Sequence, residues 1–210
     1  MIRYLYADQL LAFPKLRESM LKDRAVQFHQ RLKWEVTIDV NGFEQDQYDL
    51  LNPLYVIWET AAGLHGGSMR FLPTAGATMV NDFFSHLNGQ PVSDDRIWET
   101  TRFCISPNAP DGSRIAALLM LAGAQLGVGL GLSHAVGVFD ARMVRIYRQL
   151  GWPPEVLGTE GKGREAISAG LWEFRPELLS QLATKAGVSK EVAAHWFARA
   201  FGFERTMIAA

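Results

Sequence analysis

Residues 97–105 read IWETTRFCI, and the rest of the chain is organised around them. Ile97, Phe103 and Ile105 are apolar, and Trp98 and Thr100 suit a β-rich setting, so the pattern predicts a strand. The strand nevertheless carries Glu99 and Arg102, three residues apart. A charge inside an apolar strand must be paired or neutralised. Upstream, SMRFLP at 68–73 repeats the arrangement with Arg70. Two strand-like runs that each hold ionic groups admit two readings. One is a polar cleft cut into a sheet; the other is ordinary salt bridges on a solvated sheet face.

Working outward, the chain of 210 residues is at the upper end of one domain, and residues 1–210 are read as a single one. Hydrophobic residues make up 48% and charged residues 20%, which supports a packed core. A net charge of −1 argues against broad nucleic-acid binding, which needs a dense basic footprint. Cys104 is the only cysteine, so an intrachain disulfide and a cysteine metal cluster are excluded. A small buried strand residue is its expected role, and a reducing compartment, the cytoplasm, fits. The five histidines lack ligand spacing, so no metal site is expected. Residues 115–139 carry no charge, which raises a membrane helix, but five glycines, Gln125, Ser133 and His134 interrupt the run. A buried helix followed by a buried strand explains it better, and no stable membrane insertion is expected.

Strands are predicted at 2–6, 53–59, 67–72, from 97, at 134–139 and at 165–174. Helices are predicted from Gln9 to about His29, over 79–87 with Phe83 and Phe84 inward, and from Arg114 to about Leu126 with Ser113 as cap. Three more follow: 140–150 capped by Asp140, 176–186, and 189–201 capped by Ser189. Arg142, Arg145 and Arg148 recur at i, i+3, i+6 on one broad helical face, either a solvated surface or a docking patch for an acidic partner. The fold class is α+β, with a central mixed sheet and helices on its faces.

No GxGxxG, GxxxxGK[ST] or GxSxG motif fits its required context. What remains is a set: Arg24, Phe28, Trp34, EQDQYD at 44–49 with Asp46 and Asp49, Arg70 in MRFLPT, Phe84, and WETTRF at 98–103. In order and spacing this set resembles the acyl-homoserine-lactone synthases, the LuxI-type autoinducer synthases of bacterial quorum sensing. The resemblance runs from about Ile2 to Gly158. It departs at Thr101, where serine is usual. It departs again at Gly137, where relatives using 3-oxoacyl chains often carry threonine.

The resemblance implies an N-acetyltransferase-like three-layer α/β/α sandwich whose central twisted mixed sheet splays to admit a thioester arm. It implies no cofactor, with S-adenosylmethionine as a substrate that donates its amine, and acyl carrier protein or acyl-coenzyme A as the acyl donor. Glu99, Arg102 and Arg70 are then the catalytic candidates, Glu99 as proton acceptor. Arg24, Phe28, Trp34, Asp46 and Asp49 bind S-adenosylmethionine, with Phe28 and Trp34 caging the sulfonium. Asp46 and Asp49 hold the N-terminal loop closed through arginines, or touch the substrate amine. Phe84, Thr101, Phe103, Ile105 and Gly137 line the acyl pocket, with backbone N–H groups near 103–105 facing the thioester oxygen. Glycine at 137 has no side-chain donor, which implies an acyl chain without a 3-oxo group or an enlarged pocket. Competing readings are a generic acetyl-coenzyme A-dependent N-acetyltransferase and a non-catalytic small-molecule sensor.

Overall fold

The computed structural model describes residues 1–202. Seven strands form one sheet in the order β1-β2-β3-β4-β5-β7-β6: β1 (Ile2–Tyr6), β2 (Leu54–Glu59), β3 (His65–Pro73), β4 (Ile97–Ile105), β5 (His134–Asp140), β6 (Glu155–Glu160) and β7 (Ile167–Glu173). Every neighbouring pair is antiparallel except β4 and β5. A parallel pair needs a crossover, and the helix α5 (Gly112–Leu130) supplies it.

Strand β2 shows why the sheet has helices on both faces. Successive side chains point to opposite sides. Leu54 and Val56 join the core built on α5, while Tyr55 and Ile57 join Leu16, Met20 and Leu21 of α2 (Pro14–Arg24). Both faces are covered, so the strand is apolar throughout. The α5 side also carries α6 (Ala141–Leu150), α7 (Pro176–Ala186) and α8 (Lys190–Phe201). This is the three-layer α/β/α arrangement around a mixed sheet.

Helix α5 is long and apolar enough to cross a membrane, but 72% of that window is buried inside the protein, as befits a core helix. It runs to Leu130, past the expected end near Leu126, and it tolerates Gly127 and Gly129 for a packing reason. A Cβ at Gly127 would lie 2.2 Å from Phe174, and one at Gly129 would lie 2.3 Å from Phe197. Its cap is Asp111, whose carboxylate accepts from Arg114 N, and not Ser113. Ser189 stands at the α8 N-cap without a side-chain cap bond, whereas Asp140 caps α6 as expected.

The other departures fall near the N-terminus, at 79–88 and at 155–160. The expected helix from Gln9 to His29 is three pieces: α1 (Ala7–Leu10), α2 opened by Pro14, and a wide-turn π-helix at Ala25–Arg31. The segment at 79–87 is two short helices, α3 (Met79–Phe83) and α4 (Ser85–Asn88), and Phe83 points out, 59% exposed. Strand β6 has no counterpart in the expectation; it is a largely exposed edge that packs close to α4 through Gly158.

Candidate active site

The site begins where the parallel pair stops. Ile97, Trp98 and Glu99 pair with His134, Val136 and the Ala135 between them, and no further pairing follows between β4 and β5. Beyond Glu99 the two strands diverge, and the 100–105 edge of β4 faces an open cleft. Gly137 sits at the fork. A Cβ there would lie 2.8 Å from the Thr100 carbonyl oxygen, so any side chain would press on the opposite strand.

A second irregularity aims the charges. In the β3–β4 ladder Ser68 faces Cys104 and Arg70 faces Thr101, so Met69 alone opposes Arg102 and Phe103. This is a β-bulge, and Arg102 occupies its left-handed position with φ +54°. For a non-glycine residue that conformation costs about 1–3 kcal/mol. The strain is held by contacts: Arg102 Nη2 donates to Asp46 Oδ2 at 2.7 Å, Arg102 Nε donates to Glu44 Oε1 at 3.1 Å, and the guanidinium lies 5.3 Å from the Phe28 ring centre.

Arg102 is one corner of a closed network of three arginines and three carboxylates. Arg24 Nε donates to Glu44 Oε2 at 2.6 Å, and its two terminal nitrogens donate to Asp49 at 3.0 and 2.9 Å. Arg70 donates to both oxygens of Asp46, to Thr101 Oγ1 at 3.0 Å, and pairs with Asp49 at 3.0 Å. Tyr55 donates its hydroxyl proton to Asp49. Arg24, Arg70 and Glu44 are fully buried. Burial alone would raise the Asp49 pKa, but Arg24 and Arg70 outweigh it and hold the carboxyl well below its usual range. The network fastens the loop at 44–49 and the end of α2 onto the sheet. Glu44, which bridges Arg24 and Arg102, was not among the expected site residues; its signal was the acidic run that begins with it.

Glu99 lies on the same face and is 1% exposed. Among the described residues no arginine bonds it; Val80 N donates to it at 2.6 Å and Met79 N at 3.2 Å. Burial pushes its pKa up to about 7, and these backbone donors and the nearby Arg70 charge only partly offset that. Burial likewise pushes the Cys104 thiol up to about 12, consistent with a packed strand residue.

A cavity of about 1020 Å³ passes through the fork. Phe28, Trp34, Thr101, Arg102, Phe103, Ile105 and Gly137 line it, and Arg142 stands at its rim. Glu99 does not reach its surface; Met79 and Thr101 stand there instead. Arg24, Asp46, Asp49 and Arg70 also lie behind the wall, within the ion network. Phe84, expected in the acyl pocket, is outside the cavity and stacks on His86 with ring centres 6.4 Å apart. Its backbone ends α3 and turns the ring towards α4. Phe28 and Trp34 stack face to face, 5.1 Å apart, so with Arg102 beyond Phe28 they form a closed pile rather than an open cage. Arg145 and Arg148 are exposed and lie off the cavity. Among the described residues no cluster of His, Cys, Asp or Glu is placed to hold a metal ion.

A forked mixed sheet with a cavity through the fork is the architecture of the N-acetyltransferase-like proteins. The chain superposes on a putative N-acetyltransferase from Lactobacillus plantarum with a TM-score of 0.54 at 12% identity, covering 83% of this chain and 99% of that one. Within that class the likeness narrows sharply. The autoinducer synthase profile matches residues 8–176. An acyl-homoserine-lactone synthase of Rhizobium etli is 37% identical over 179 residues, 82% of this chain and 84% of that protein. The coenzyme A-dependent acyl-homoserine lactone synthase BjaI, solved with S-adenosylmethionine and isopentyl-coenzyme A, superposes with a TM-score of 0.80 at 22% identity, covering 90% of each chain. The chain belongs to the autoinducer synthase family.

Proposed function

We propose that this chain is an acyl-homoserine-lactone synthase, formed as one domain over residues 1–210 and acting in the cytoplasm. The amine of S-adenosylmethionine attacks the carbonyl of an acyl thioester, an amide forms, and the thiol leaves. The substrate carboxylate then displaces methylthioadenosine and closes the lactone. The observation that supports this most is the cavity crossing the β4–β5 fork, with Phe28, Trp34 and Arg102 on one side and an apolar chamber on the other. One substrate can approach from each side of the sheet.

Glu99 takes the amine proton, through water, since Met79 and Thr101 stand between it and the cavity. A carboxyl poised near 7 is partly ionised at neutral pH and returns the proton readily. Arg102, Arg24 and Arg70 hold the S-adenosylmethionine side closed through Glu44, Asp46 and Asp49. Asp46, both of whose oxygens are held by Arg70 and Arg102, serves to fasten this side rather than to touch the substrate amine. The sulfonium rests against Trp34, which is 39% exposed. N–H groups on the free edge of β4 near 103–105 face the thioester oxygen. Gly137 leaves the acyl chain without a side-chain donor at the fork, in keeping with a chain lacking a 3-oxo group. Arg142, Arg145 and Arg148 form a basic face for acyl carrier protein.

The test is stoichiometric. Purified protein with S-adenosylmethionine and acyl thioester should release free thiol and methylthioadenosine in equal amounts. Thiol release without methylthioadenosine would instead make it a simple N-acyltransferase. Release of neither would make it a binding protein.

A further inference from the structure

The cavity has a direction as well as a volume. Its wall follows α6 from Arg142 in the first turn to Leu150 at the last residue, then continues to Trp152 and to Ala186 at the end of α7. Ten residues at about 1.5 Å each make α6 about 15 Å long. Met143, Ile146, Tyr147 and Leu150 recur at i, i+3, i+4, i+7 and present one apolar stripe to the cavity. Ile146 is 37% exposed and Met143 and Leu150 are half-buried, and all three line the cavity. They line apolar room that the protein itself does not fill. The rest of the wall mixes small residues, among them Ala116, Ala117 and Ala135, with larger apolar ones such as Met120, Phe139 and Trp172. The apolar lining extends along the whole of α6 rather than ending beside the fork.

We propose that this channel takes a long, unbranched acyl chain of about eight to twelve carbons, and that Leu150, where the α6 wall ends, sets the upper limit. The inference rests on the synthase reading above and goes beyond it in naming the acyl class. An extended chain with bonds of about 1.5 Å and angles of about 111° advances about 1.25 Å per carbon, so about twelve carbons span the length of α6. Each buried methylene should favour binding by roughly fourfold, so the preference should climb along a homologous series until the channel ends.

The experiment compares butanoyl, octanoyl and dodecanoyl thioesters, on coenzyme A and on acyl carrier protein, by methylthioadenosine release and mass spectrometry of the lactones. The wild type should prefer octanoyl or dodecanoyl over butanoyl by at least about tenfold in kcat/KM on whichever carrier it uses. Leu150→Trp should lower the dodecanoyl-to-butanoyl ratio at least about tenfold. Ile146→Trp, one turn nearer the fork, should cut the octanoyl ratio as well, and it serves as the second variant if Leu150→Trp melts early. A wild-type preference for butanoyl, or an unchanged ratio in folded variants of both positions, overturns the proposal. Absence of lactone from every donor overturns the synthase reading beneath it instead, and the proposal with it.

Discussion

Two backbone N–H groups, from Met79 and Val80, hold the Glu99 carboxylate while burial raises its hold on a proton to about pH 7. If this carboxylate is the amine's proton acceptor, kcat/KM should fall as pH drops through about 7. Glu99→Gln should keep the fold and lose about 100-fold or more in acylation; a near-wild-type rate would remove Glu99 from the chemistry. The same shift has a stability side. The folded value is raised, so its contribution is fully present below about 4.5, the unfolded value, and is lost as pH rises through about 7. The stability of Glu99→Gln relative to wild type should therefore improve by roughly 3 kcal/mol between about pH 5 and 8, read from melts at each pH. Arg70 answers differently. Removing it takes a buried cation from between Asp46 and Asp49 and leaves Thr101 unbonded, so Arg70→Ala should lose about 3–5 kcal/mol, or about 10 °C in Tm. The identities of Glu99, Arg70 and Arg102 were legible because charges stand out in apolar strands. The bulge that turns Arg102 inward was not, since its left-handed position holds an arginine where glycine would have advertised it. Glu44 was read only as part of an acidic loop, because its partner Arg102 is 58 residues away.

At the scale of elements, period and punctuation carried most of the reading. Strands β1 to β5 and β7 and helices α5 to α8 fall where apolar spacing placed them, within a few residues. The misses share a cause, in that tertiary contacts overrode local signal. The π-helix at Ala25–Arg31 widens the turn that presents Phe28 to Trp34 and Arg102, and no side-chain period announces a π-turn. Strand β6 is an exposed edge with little apolar patterning, held by β7 and by close approach of Gly158 to Leu87. The glycines of α5 looked like interruptions and are packing choices. Gly127→Ala should gain up to about 1 kcal/mol in helix propensity, yet a methyl 2.2 Å from the Phe174 ring should cost about 1–3 kcal/mol in overpacking. A net fall in Tm is expected, reversed in part by Phe174→Leu in the double variant. A rise in Tm from Gly127→Ala alone would show that the ring moves freely, and the close packing of α5 on Phe174 would not be what holds this corner.

For the molecule as a whole, the architecture follows from one conflict. Parallel pairing of β4 and β5 begins at Ile97 and is abandoned after Glu99, so the sheet is held together by its margins and open at its centre. The sequence announced the charges beside that opening but not the opening itself, because strand divergence leaves no composition signal. Both ends of the opening lie under helices that start at the same edge of the sheet: α5 after β4 and α6 after β5. A thioester arm entering there passes Arg142, whose guanidinium is tied to Asp140 at 2.7 Å and is therefore partly neutralised. Arg145 and Arg148 are exposed, and no salt bridge holds either among the described residues. They lie away from the cavity, so a small donor has no reason to touch them, whereas a protein donor must cover the ground beside the mouth. The double variant Arg145→Glu, Arg148→Glu should then raise KM for acyl carrier protein substrates about tenfold at low salt and change KM for acyl-coenzyme A by less than about twofold. Salt should erase much of the difference, because exposed charges are screened beyond about 10 Å at 0.1 M. Equal effects on both donors would place these arginines in the fold rather than in docking. No effect on either would leave the basic face of α6 a solvated surface and move the carrier's footprint to the opposite lip, at Ser113 and Arg114 on the first turn of α5.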